Sequence, residues 1–145
     1  MSGSSDYKVD AKEFKNIFTF LDSEQTEDVV FIYLQTKGWI VVPNSRKADT
    51  MNYEFYLIRK KDNRRAVVQV KTGRTRLNAL EWEGAKEHVI LFQANGYYEN
   101  MMVKNVECLD PREVEEFVYN NLSMMPENIA HWAKTCPRVI AEMKD

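Results

Sequence analysis

The sequence has few cysteines and no long apolar run. Cys108 and Cys136 are its two cysteines, and neither has a second cysteine or a histidine at zinc-like spacing. Neither a disulfide framework nor a zinc site is therefore indicated. The longest apolar stretches, such as Val29–Leu34, fall well short of the roughly 20 residues needed to span a bilayer. No membrane anchor is expected.

The N-terminal segment Met1-Ser-Gly-Ser-Ser lacks the basic and apolar regions of a secretory signal. We therefore expect a cytoplasmic protein, with residues 1–10 as a flexible lead-in and residues 11–145 as one domain. A chain of 145 residues buries about two-thirds of its unfolded surface, which is enough for one core. A hydrophobic fraction of 44% and a charged fraction of 29% exclude a disordered or fibrous protein.

The net charge of −2 argues against a histone-like protein that holds nucleic acid through its overall charge. Basic residues nevertheless crowd the middle of the chain. They are Arg59, Lys60, Lys61, Arg64, Arg65, Lys71, Arg74 and Arg76. The middle of the chain is locally basic.

Hydrophobic periodicity predicts two helices at the start of the chain. The first covers Lys12–Leu21, and the second runs from about Glu24 to Lys37 with Ser23 as its cap. Gly38 stands where a left-handed residue commonly ends a helix. The sequence therefore places a helix boundary there.

Three strands follow, and after them an alternation of helices and strands. The strands are Trp39–Val42, Tyr53–Arg59 and Arg65–Lys71, with a polar loop at Arg46–Asn52 and a polar hairpin connection at residues 60–64. The later elements are a helix at Thr75–Lys86, a strand at His88–Ala94, a fifth strand at Met101–Glu107, a helix at Arg112–Leu122 opened by Pro111, and a short helix at Pro126–Lys134. This order indicates an α/β fold.

A cluster of polar side chains is expected where the second and third strands pair. Gln69 and Lys71 are two residues apart, so strand alternation places both on one face and Val70 on the other. Hairpin pairing brings Glu54 beside Gln69. An oxygen cluster next to a cation suits Mg²⁺, which prefers oxygen ligands.

These residues resemble the PD-(D/E)XK nuclease superfamily, in the branch whose last motif is Gln-x-Lys, as in Mrr-like restriction endonucleases. Gln69-Val70-Lys71 matches that motif, and Glu54 matches the central acidic position. The preceding helix, with Glu27 and the Gly38-Trp39 ending, matches the family's first element. The resemblance covers about Glu27 to Lys71.

The resemblance implies a restriction-endonuclease-like αβββαβ core, in which a mixed central sheet is flanked by helices. It also implies a Mg²⁺- or Mn²⁺-dependent endonuclease whose catalytic residues are Glu54, Gln69, Lys71 and Glu27. Glu54, Gln69 and the main-chain carbonyl of Val70 would bind the metal directly, and Glu27 would bind it through water. The biological setting would be restriction, repair or defence.

The chain departs from the family pattern at two positions. Glu54 replaces the usual Asp, and the neutral Gln69 binds Mg²⁺ more weakly than a carboxylate does. Asp49, in the preceding loop, is an alternative acid, although Glu54 fits the spacing better. A second interpretation follows, namely a catalytically inactive nuclease-fold module that binds nucleic acid or protein.

The expected partner is DNA. Thr72, Arg74 and Arg76 follow the third strand and are expected to contact phosphates, as are Arg64 and Arg65 in the hairpin. Cutting both strands would call for a homodimer, and a partner protein is the other option.

Overall fold

Eight strands are present in the computed structural model, which describes residues 16–42, 47–49, 52–74 and 76–135. They are β1 (Trp39–Val41), β2 (Lys47–Asp49), β3 (Asn52–Arg59), β4 (Arg65–Lys71), β5 (Leu77–Asn78), β6 (His88–Gln93), β7 (Tyr98–Glu99) and β8 (Val106–Leu109). Six of them form one sheet in the order β1-β3-β4-β6-β8, with β2 also paired to β3. The strands β5 and β7 form a separate parallel pair.

The central sheet is mixed. Strand β3 runs antiparallel to β1, β2 and β4, whereas β4, β6 and β8 are parallel to one another. The predicted α/β class with a mixed sheet flanked by helices is therefore confirmed. The predicted loop over Arg46–Asn52 was wrong in part, because β2 lies within it and pairs with the start of β3.

The helices are α1 (Ser23–Thr36), α2 (Pro111–Asn120) and α3 (Glu127–Thr135). The cap of α1 is Asp22 and not Ser23, since the Asp22 carboxylate accepts a hydrogen bond from the Gln25 main-chain N–H at 2.7 Å. Gly38 has a φ of 92° and follows the helix end as expected. Pro111 opens α2, also as expected.

The first predicted helix is only partly described, because residues 12–15 lie outside the described ranges. The remaining part is not an α-helix. Ile17–Thr19 form one 3-10 turn, and Ile17 and Phe18 are buried in the core. The apolar spacing therefore marked core positions correctly, but it did not identify their backbone conformation.

The predicted helix at Thr75–Lys86 was wrong. Apart from Thr75, which is not described, this segment contains β5, a 3-10 turn at Ala79–Trp82 and further turns. Glu83 is extended and Gly84 has a φ of 82°, so the turn cannot continue as a helix. The crossover from β4 to β6 is consequently not helical in its described part, unlike the αβββαβ pattern.

The fifth strand begins later than predicted. It is β8, and most of the predicted span Met101–Glu107 is turn. Asn100 and Asn105 have φ values of 56° and 71°, left-handed conformations that asparagine tolerates and that interrupt a strand. The sequence therefore indicated a strand in this region but placed most of it in the preceding turn.

The two faces of the central sheet are covered differently. On one face, which we call the helix face, Phe55, Val68, Val70, Ile90 and Phe92 pack in the main core with α1, α2 and α3. On the other face, a smaller cluster containing Leu77 and Tyr98 covers β6 and β8. No described helix is long and apolar enough to cross a membrane.

Candidate functional site

Glu54 and Gln69 lie side by side on the face opposite the helices. They are direct partners in the antiparallel β3–β4 register. The Gln69 amide Nε2 donates a hydrogen bond to Glu54 Oε2 at 2.6 Å, and the pair is partly buried. The hairpin thus brings an acid and an amide together in direct contact.

Lys71 lies on the same face, two residues beyond Gln69 along β4. Its register partners are Asn52 on β3 and Gln93 on β6. The Gln93 side chain is fully buried. Alternation in the sheet places this amide beside Lys71, so Gln93 is a polar group of the site that sequence reasoning missed.

Tyr98 holds the end of β6 that carries Gln93. Its hydroxyl accepts a hydrogen bond from the Gln93 main-chain N–H at 2.8 Å and donates to the Leu109 carbonyl at 2.7 Å. Burial raises the pKa of Tyr98 well above its ordinary value, so the phenol keeps its proton. Tyr98 is therefore a structural support of the site and not a surface group.

The crossover is also fastened at this end of the sheet. The Asn95 side chain donates a hydrogen bond to the Gly73 carbonyl at 2.8 Å, and the Ala94 N–H donates to the Lys71 carbonyl at 2.9 Å. These bonds join the residues after β4 to those after β6. They fix the backbone that follows Lys71.

Glu27 lies in a different environment from the Glu54–Gln69 pair. It is completely buried in α1, a helix that packs on the helix face of the sheet. The start of α1 does approach the site, because Ser23 Oγ and Thr72 Oγ1 are 3.0 Å apart. Glu27 and the Glu54–Gln69 pair therefore lie on opposite sides of the sheet. Water that links Glu27 to a metal at the pair would have to lie around the end of β4.

Val70 and Asp49 are placed by backbone register. The carbonyl of Lys71 points toward β6, so alternation turns the carbonyl of Val70 toward β3 and its partner Tyr53. A carbonyl oxygen has two lone pairs and can accept a second contact there. The main chain of Asp49 pairs with Asn52, which is itself the partner of Lys71, so this alternative acid belongs to a neighbouring strand.

The residues expected to bind nucleic acid occupy both ends of β4. Arg74 and Arg76 follow Lys71 and are exposed, and Arg76 donates a hydrogen bond to Glu99 at 3.2 Å. Arg64 and Arg65 are exposed at the other end, where Arg64 contacts the Asn105 side chain at 3.2 Å. The structure therefore separates these residues into two groups.

The Glu54 carboxylate and the Gln69 amide carry oxygen atoms, the kind of ligand that a hard divalent cation prefers. Two oxygens that share one Mg²⁺ in adjacent octahedral positions lie about 3 Å apart. In the structure the Gln69 amide nitrogen Nε2 lies 2.6 Å from Glu54 Oε2. A rotation of the Gln69 amide group by half a turn would place its oxygen where its nitrogen now lies. Among the described residues, no group of three His, Cys, Asp or Glu side chains forms a metal site. Water would have to supply several ligands.

Comparison of the chain with family models, with curated proteins and with solved structures finds no match. The described residues define a mixed α/β domain in which a carboxylate–amide pair and a lysine share one face of the sheet. The resemblance to the nuclease superfamily stays a prediction from the sequence motif.

Proposed function

We propose that this chain is a Mg²⁺- or Mn²⁺-dependent endonuclease that hydrolyses phosphodiester bonds in DNA. The observation that carries the proposal is the direct contact between Glu54 and Gln69, with Lys71 on the same face of the sheet. The topology also supports the proposal, because β4 pairs with β3 in an antiparallel hairpin and with β6 in parallel on its other edge.

Each residue has a distinct role in this reaction. Glu54 and Gln69 would hold the metal, which would polarise the phosphoryl oxygen and lower the pKa of the attacking water. Lys71 would place its ammonium beside the phosphate, where it stabilises the negative charge that develops as water adds to phosphorus. One P–O bond breaks, leaving a phosphate monoester on one fragment and a hydroxyl on the other.

The surrounding contacts would keep these side chains in position. Tyr98 and Asn95 bind the main chain at the ends of β6 and β4, so the strands next to Lys71 are held by hydrogen bonds. Positioning of catalytic groups on strands is more accurate than on loops. The described surroundings are therefore suitable for a fixed catalytic lysine.

A cleavage assay tests the proposal. Purified protein is incubated with supercoiled plasmid, linear duplex and single-stranded DNA in Mg²⁺, Mn²⁺ or EDTA. We expect metal-dependent cutting that is lost in Lys71→Ala and kept in Lys134→Ala, which removes an exposed lysine of α3. Cutting that persists in Lys71→Ala would refute this site assignment.

The second candidate is a nuclease-fold module that binds nucleic acid or protein without cutting. The observation favouring it is that the single carboxylate of the pair is already bound by the Gln69 amide. Binding of DNA with no cleavage in either metal would support this candidate over the enzyme. The proposed endonuclease would act in the cytoplasm, as a homodimer or with a partner protein. Light scattering on the DNA complex tests the dimer.

A further inference from the structure

The described residues cover only part of the face that carries Glu54 and Gln69. The small cluster built around Leu77 and Tyr98 covers this face at β6 and β8, where Val89 and Leu91 are buried. Over β1, β3 and β4 the same face presents partly buried or exposed side chains. They are Ile40, Glu54, Tyr56, Ile58, Arg65, Val67, Gln69 and Lys71, which we call the open strip.

Register shows that the open strip is continuous. Ile40 pairs with Ile58 across β1 and β3, and Tyr56 pairs with Val67 across β3 and β4. Directly paired residues share a face of the sheet. Ile40 is 51% exposed, so the apolar part of the strip reaches solvent.

Charge is placed at the two ends of the open strip on β4. Arg65 is exposed at the start of the strand and Lys71 lies at its end, about 20 Å away for six residue steps. Lys60, Lys61 and Arg64 are exposed in the hairpin next to Arg65. Glu54 is the one acid among the strip's described side chains, and it belongs to the candidate metal site.

This combination suits a single nucleic-acid strand better than a duplex. The major groove of a duplex admits an α-helix or a two-stranded β-ribbon, and a broad sheet face does not fit into it. Single strands expose bases that pack on aromatic and apolar side chains, while basic residues follow the phosphates. Tyr56, Ile58 and Val67 would supply that packing surface, with cations at both ends.

We propose that the open strip binds single-stranded DNA, running from Arg65 to Lys71 and so into the candidate catalytic site. The inference rests on the proposed function, because it names the substrate class of the same site. A splayed end, flap or loop would then be the DNA that reaches Glu54 and Gln69. Its binding does not require cleavage, so the two proposals can fail separately.

The test is fluorescence anisotropy in EDTA with a labelled oligothymidylate of about 16 nucleotides, a length within single-strand site sizes, and a duplex of equal length. We expect the single strand to bind at least tenfold more tightly than the duplex. Arg65→Ala should reduce the salt dependence of single-strand binding by about 0.7 in log–log slope, the value for one phosphate contact. The control Lys134→Ala, on α3, should leave that slope unchanged.

A second pair of variants tests the apolar part of the strip. Ile40→Glu places a carboxylate in the strip, whereas Met102→Glu makes the same kind of change at a 97% exposed position after β7. We expect Ile40→Glu to weaken single-strand binding at least about fivefold and Met102→Glu to leave it within about twofold. Circular dichroism checks that both variants fold.

The outcomes separate the two proposals. Equal or tighter binding of the duplex, or no effect of Arg65→Ala and Ile40→Glu, would overturn the single-strand inference even if the protein cuts DNA. Strip-dependent binding of the single strand without cleavage in Mg²⁺ or Mn²⁺ would support the inference and count against the proposed enzyme.

Discussion

Replacing Gln69 by Glu gives the most informative perturbation of the candidate metal site. The substitution changes a hydrogen-bonded amide, 2.6 Å from Glu54, into a second carboxylate. Without metal the protein loses a hydrogen bond to a charged group, about 1.5–3 kcal/mol. It also gains a repulsion of about 1–4 kcal/mol for charges about 4 Å apart in surroundings between water and a protein surface.

These terms add to about 2.5–7 kcal/mol, which at about 4 °C per kcal/mol corresponds to a fall in melting temperature of roughly 10–28 °C for a domain of this size. A divalent cation between the two carboxylates would reverse the repulsion. Saturation at a hundred times the dissociation constant returns about 2.7 kcal/mol. We therefore expect Gln69→Glu to be unstable in EDTA and to regain much of its stability in Mg²⁺ or Mn²⁺.

The assay is thermal unfolding of wild type and Gln69→Glu in EDTA and over a metal titration. Gln35→Glu is the matched control, since Gln35 is exposed near the end of α1, where a new carboxylate costs about 0.3–1 kcal/mol. Its melting temperature should not respond to metal. If Gln69→Glu is as stable as wild type in EDTA and gains nothing from metal, position 69 does not form a metal site with Glu54.

Three further predictions concern the support of the site and the rest of the sheet. Tyr98→Phe removes the hydroxyl that donates to the Leu109 carbonyl, so the free energy of unfolding in urea should fall by about 1–3 kcal/mol with an unchanged denaturant slope. An unchanged free energy of unfolding would mean that the hydroxyl does not hold this end of the sheet. The hydrogen bond from His88 lowers the pKa of Glu107 below its ordinary 4.5. The stabilisation from this carboxylate is present above its unfolded-state pKa and is lost as the pH falls through its folded-state pKa, so Glu107→Gln should flatten the acid limb of a stability–pH profile. An acid limb as steep as in wild type would show that the Glu107 carboxylate does not contribute this stabilisation. Burial raises the pKa of Cys108 to about 11, so at pH 8 only about one thiol in a thousand is ionised and alkylation in a Cys136→Ser background should be far slower than for a free cysteine. Fast alkylation would show that the Cys108 thiol is not buried enough to raise its pKa.

The hairpin was predictable because its signals are local. Alternating residues in Tyr53–Arg59 and Arg65–Lys71, joined by a short polar connection, set both the strands and the pairing of Glu54 with Gln69. Gly38 likewise marked the end of α1 through its own left-handed backbone. These features depend on neighbours in sequence, so periodicity was sufficient to find them.

The crossover and Gln93 were not predictable in the same way. Leu77, Leu80 and Trp82 have a spacing compatible with a helix, but Leu77 pairs with Tyr98 in a two-stranded sheet that no local pattern indicates. The position of Gln93 beside Lys71 depends on the parallel register between β4 and β6, which is set only after the crossover. Tertiary pairing determined both outcomes.

The most direct test of the proposed nuclease is the rate of DNA cleavage in Mn²⁺ under single-turnover conditions for wild type, Glu54→Gln, Lys71→Ala and the double variant. Residues that act as one catalytic unit are strongly non-additive. The proposed site predicts that each single variant loses at least about a hundredfold in rate and that the double variant loses little more. Cleavage at the wild-type rate in either single variant would contradict a catalytic site built on Glu54, Gln69 and Lys71.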